Sequence, residues 1–114
     1  MDTNPLHYAE KDMDLNEQLI KNKSATFFLR VNGNAMTGAG IYSGDVVIVD
    51  RSLSAVNGKI VIAALNNELL IRRYEVYQKR IRLVPATRKL SAIDVDPFAE
   101  FYIWGVVTYV IHIV

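Results

Sequence analysis

The side chains able to do chemistry in this 114-residue chain are few and widely spaced. There is no cysteine, hence no thiol nucleophile, thiolate metal site or disulfide. His7 and His112 stand near opposite ends without clustered carboxylates, so no metal site is expected. Ser24, Ser43, Ser52, Ser54 and Ser91 lack the surroundings of a nucleophile elbow. The densest feature is the stretch from Val31 to Arg51, with glycines at 33, 38, 40 and 44. Such glycines permit positive φ and close approach of backbone N–H groups. The stretch should form a strand, a Gly-rich turn displaying Asn34, Ala35 and Met36, and a second turn at Ser43-Gly44-Asp45. Asp45 and Asp50 are expected to close turns by accepting backbone N–H bonds. On residue types alone this is a hairpin corner.

The elements that must position this corner are mostly strands. Ala25 to Val31 is aromatic and β-branched, and Val46 to Val49 is wholly apolar, as in a strand buried on both faces. Lys59 to Leu65 and Glu68 to Tyr74 flank Asn66-Asn67, a two-residue hairpin link. Glu75 to Val84 alternates apolar with charged positions and continues the same strand pattern. Phe101 to Val114 is rich in Val, Ile and aromatics, with Gly105 marking a bend or bulge. Before these strands, residues 1–13 form a polar arm, and 14–114 form one domain. Asp14 can N-cap a short helix with Leu15, Leu19 and Ile20 on one face. That helix is too short to stand alone and must dock. The fold class expected is a compact, mostly antiparallel β domain with one short N-terminal helix.

Composition narrows the function classes. Hydrophobic residues make up 51% and charged residues 22%, which describes a globular domain and not a disordered one. No apolar run is long enough to span a bilayer, and no basic-then-apolar signal pattern opens the chain. A cytoplasmic protein with no membrane partner is expected. The formal net charge of +1 gives no drive towards nucleic acid over the whole chain. Eight Lys or Arg residues lie between Lys59 and Lys89 against Glu68 and Glu75. Several alternate with apolar positions, so a solvated sheet face is the favoured account. Only Tyr74 and Tyr77 interleave with them as stacking aromatics, so direct nucleic-acid binding is not expected.

The corner also carries a resemblance. Gly-x-Ser-Met, then Gly-Ile-x-x-Gly-Asp and an apolar strand ending in Val-Asp, is the nucleophile loop of the LexA/UmuD family of self-cleaving Ser–Lys proteins. Here Gly33, Met36, Gly40-Ile41, Gly44-Asp45 and Val49-Asp50 match, and Ala35 takes the nucleophile's place. The similarity covers Asp14 to the last strand and best fits the UmuD branch in its processed form. It implies loop or oxyanion roles for Gly33, Asn34 and Met36. It also implies a general base on the strand after the Asn66-Asn67 hairpin, at the position held by Arg72.

Both catalytic positions are then altered. A methyl group is no nucleophile, and arginine, with a pKa above about 12, does not deprotonate in proteins. Peptidase chemistry by this mechanism is therefore not expected of the chain as it stands. Arg72 is instead expected to be solvated or paired with a carboxylate. No Ala-Gly or Cys-Gly pair of the kind the family cleaves precedes Ala35, and the chain begins about where a relative begins after trimming itself.

What the resemblance implies is an accessory subunit. It would form a homodimer, with Leu19 and Ile20 as dimer candidates, and join a Y-family DNA polymerase subunit for translesion synthesis in the SOS response. A RecA-like filament and full-length UmuD-like chains are further partners that the resemblance brings; no cofactor is implied. Two alternatives stay open. One is a genuine self-cleaving member carrying introduced Ala35 and Arg72, and the other is the dimerisation domain of a LexA-like repressor.

Overall fold

The computed structural model describes residues 25–114. The arm, the helix starting at Asp14, and Leu19 and Ile20 lie outside the described residues. The described chain forms one seven-stranded sheet with every pairing antiparallel. Its strands are β1 (Thr26–Arg30), β2 (Val46–Asp50), β3 (Ile60–Leu65), β4 (Glu68–Tyr77), β5 (Arg80–Val84), β6 (Ile93–Asp94) and β7 (Phe101–Ile111). The spatial order is β1-β2-β7-β3-β4-β5-β6, so the last long strand joins the two halves. The mostly antiparallel β domain expected from the sequence is the fold observed.

Alternation along β3 assigns the sheet's two apolar faces. Ile62 belongs to a cluster with Val31, Met36, Ile41, Val47 and Val49. Its neighbours Val61 and Ala63 belong to a second cluster with Leu83 and Val106. In β2, Val47, Ile48 and Val49 are all fully buried, which explains the absence of polar alternation there.

Turn chemistry fixes the registers. Asn66 and Asn67 both have positive φ, as a tight type I′-like link demands, and Leu65 pairs with Glu68. A second link of the same kind corrects the continuous strand expected over Glu75 to Val84. Gln78 and Lys79 also take positive φ, so Tyr77 pairs with Arg80 and the segment folds into two strands. Neither residue type announces a left-handed conformation, which is why the turn was not legible.

Gly105 is where β7 needs a missing side chain. The register slips by one residue between the Ile62–Gly105 and Ala63–Ile103 pairs, making Trp104 the extra residue of a bulge. A Cβ on Gly105 would lie 2.5 Å from Cγ1 of the buried, branched Val49, which has nowhere to move. Gly105→Ala is expected to lower stability by about 1–3 kcal/mol through overpacking. The check is a fall in urea midpoint with an unchanged slope.

Candidate functional site: a cleft holding an alanine and an arginine

The Gly-rich loop between β1 and β2 is pinned at both ends. At its mouth Val31 N–H donates to Asp45 O (2.8 Å), and Gly44 N–H donates to Val31 O (2.9 Å). Inside, Gly33 N–H donates to Ser43 Oγ, and Thr37–Ala39 form a 3-10 turn ending on Gly40 at φ 81°. Ile41 N–H returns to Met36 O, and both side chains are buried at 1% exposure, anchoring the loop to the core. The segment after β5 holds the other side: Ala86 N–H donates to Ala35 O (2.8 Å), and Gly38 N–H donates to Ala86 O (2.7 Å). Ala35 is thereby fixed at the rim of the core, against which it packs.

Facing this loop is half of β4. Its residues pair with β3 along their whole length, but β5 joins only from Arg73 onward. Because Leu65 and Glu68 flank a two-residue link, Leu69 and Ile71 direct their backbone groups away from β3. Among the described residues no strand covers that edge. Between it and the loop lies a cavity of about 420 Å³. Its walls are the run Leu29 to Ala35, the run Leu69 to Arg72, and Val47, Ile62 and Leu90. The structure thus brings Gly33, Asn34, Ala35 and Arg72 to one cleft, while Met36 lies beneath it as a core plug.

Arg72 does not behave as its residue type led us to expect. It is half-buried and, among the described residues, paired with no carboxylate. Its Nη1 donates to the carbonyl of its neighbour Ile71 at 2.8 Å, and its buried Nε has no hydrogen-bond partner. Burial pushes its pKa down from the ordinary arginine value, yet a guanidinium at that position still carries its proton. Among the described residues that line the cleft, none can attack a carbonyl and none can take up a proton from such a group.

His112, which sequence reasoning left unassigned, fixes the far turn of the loop. Its Nδ1 lies 2.6 Å from Oδ1 of Asp45, whose side chain is only 3% exposed. Asp45 Oδ2 accepts the Tyr42 N–H at 2.8 Å, and the rings of Tyr42 and His112 meet edge to face. The backbone bond from Tyr42 holds the Asp45 carboxyl below its usual range; burial opposes this, and His112 adds to it by hydrogen bond and charge. A depressed folded-state pKa gives stability that is present above the unfolded value of about 3.9 and lost as pH falls through the folded value. Asp45→Asn is therefore expected to melt below wild type at neutral pH, with the gap closing in acid below about pH 4. Melting curves across pH check this. Asp50 closes its turn as expected, accepting the Ser52 N–H and hydroxyl.

The exposed aromatics also exceed Tyr74 and Tyr77. Tyr74 packs against the core, whereas Phe27, Phe28, Phe98 and Tyr102 are exposed, as Tyr77 is. Phe27 meets Trp104 edge to face at 5.3 Å, and the Arg51 guanidinium sits 4.3 Å from the Trp104 ring centre. Their spread across several strands hid them from a reading of the basic segment alone.

A pinned loop faces a strand edge that no described strand covers, with a cleft between them that both Ala35 and Arg72 line. The Peptidase S24-like family matches residues 2–108, and the chain belongs to that family. Within it, the chain is similar to Protein MucA of Salmonella typhimurium, at 40% identity over 103 residues covering 90% of this chain and 70% of MucA. Protein ImpA of Shigella flexneri is 40% identical over 110 residues, covering 92% and 71%. The LexA repressor of Clostridium kluyveri is 42% identical over 77 residues, covering 68% of this chain but 38% of the repressor. The LexA/UmuD kinship expected from the loop motif therefore holds. No helix among the described residues is long and apolar enough to cross a membrane.

Proposed function

We propose that this protein is a non-cleaving accessory subunit of the UmuD type. It acts as a cytoplasmic homodimer that joins a Y-family DNA polymerase subunit during the SOS response. The observation that carries this proposal is that Ala35 and Arg72 line one cleft. Loss of either reactive group alone would stop self-cleavage, so the two together describe a chain whose work is done by surfaces. Similarity to MucA and ImpA across most of the chain supports the UmuD branch over a repressor. In this proposal Gly33 and Asn34 shape a cleft that holds an extended peptide along the edge of β4 that no described strand covers, where the backbone groups of Leu69 and the N–H of Ile71 are available while the Ile71 carbonyl is held by Arg72. Main-chain bonding of this kind supplies affinity without chemistry. The test is co-expression with the Y-family polymerase subunit of the same host. Co-elution of two copies of this chain per polymerase supports the assignment; a lone monomer that never co-elutes overturns it.

A further inference from the structure

We infer that the cleft selects peptides by a carboxylate, with Arg72 as the recognising group, so that its partner is an acidic segment flanked by apolar residues. The inference rests on the peptide-cleft proposal and adds what the peptide must carry. Among the described residues the cleft walls include two arginines, Arg30 and Arg72, and no aspartate or glutamate. Arg30 is engaged by Gly44 O through Nη1, whereas Arg72 spends one donor on the adjacent Ile71 carbonyl and leaves a buried Nε–H without a partner. A buried donor without an acceptor is costly, and a cation in such a place without an anion more so. A carboxylate in the cleft would remove that cost if the Arg72 side chain turns to present its Nε–Nη2 edge, releasing Nε from its buried position. The fork of the guanidinium fits a carboxylate far better than a neutral amide, which brings one acceptor and no charge. The rest of the wall is aliphatic: Leu29, Val47, Ile62, Leu69 and Leu90 ask for apolar neighbours on the ligand. An acidic peptide of a partner protein satisfies all three features, the cation, the apolar wall and the free strand edge.

The experiment uses the whole chain and two probes, acetyl-Leu-Glu-Val-amide and acetyl-Leu-Gln-Val-amide, which differ by charge at one side chain. Binding is followed by the ¹H–¹⁵N signal of the Arg72 Nε–H and by calorimetry. The glutamate peptide should bind at least about tenfold more tightly than the glutamine peptide, as a charge-assisted bond implies, and should shift the Arg72 signal. Arg72→Met should abolish that preference, while Arg72→Lys should keep part of it. Equal binding of both peptides to the wild type overturns carboxylate selection and leaves the peptide cleft standing. Absence of binding by both overturns the cleft as well. A preference that survives Arg72→Met assigns the charge to another group and overturns the role of Arg72. An Arg72 signal already shifted in the free protein overturns the partner peptide. Concentration dependence of that signal would mark a second copy as occupant, and its absence would mark residues 1–24.

Discussion

A chain carrying Ala35→Ser and Arg72→Lys together, extended by an arm with an Ala-Gly pair, is expected to cut that arm at alkaline pH or beside an activated recombinase filament. The loop that would present the hydroxyl is already held by bonds to Ala86 and Ser43, and by the buried Met36 and Ile41. The position across the cleft is already partly desolvated, and this burial lowers the pKa of the group that stands there. A lysine there would lose its proton more readily than in water and could act as base, with raised pH increasing the neutral fraction. The two changes should act as a unit. Ala35→Ser alone would lack its base and fall short of the double variant by about 10²–10⁴-fold, the usual worth of general-base assistance. Arg72→Lys alone should do nothing, having no nucleophile to activate. Cut fractions on a gel separate these cases. Cutting by the unaltered chain would contradict the assignment of Ala35.

The largest stability effect is expected at Met36. Its side chain is 1% exposed, and it joins the loop to Val31, Ile41, Val47, Val49 and Ile62. Met36→Ala removes three heavy atoms from that cluster and leaves a cavity that the pinned backbone cannot close. A loss of about 2–5 kcal/mol follows from comparable large-to-small changes. In a domain of this size that lowers the melting temperature by roughly 10 °C or more. Met36→Leu keeps most of the volume and should cost less than about 1.5 kcal/mol. Equal melting of Met36→Ala and wild type would show that the loop is not anchored through this side chain.

The contrast between these two residues also explains what the sequence could disclose. Glycines at 33, 40 and 44, with Met36 among them and Asp45 directly after the last, form a local pattern, because a tight loop needs fixed backbone conformations at fixed spacing. The Val46-Val47-Ile48-Val49 run was legible because burial on both faces leaves no room for polar residues. The link at Asn66-Asn67 was visible through residues that tolerate positive φ; the one at Gln78-Lys79 was hidden because its residues do not advertise that conformation. Long-range facts were not legible at all. The insertion of β7 between β2 and β3, the meeting of His112 with Asp45 and the orphaned Nε of Arg72 each depend on segments distant in sequence. For Arg72, residue type alone pointed to solvent or a salt bridge. Only the meeting of β4 with the loop opposite explains why it is half-buried and, among the described residues, without a carboxylate.

The measurement that bears most directly on the proposed role is primer extension across a template lesion by the Y-family polymerase subunit of the same host. It should be run with and without this protein, and the protein's intact mass followed by mass spectrometry throughout. Stimulated bypass with the mass unchanged is the expected result, since the chain is proposed to act by binding and not by cutting. Bypass that is indifferent to the protein, or that rises only as a shortened form accumulates, would contradict it.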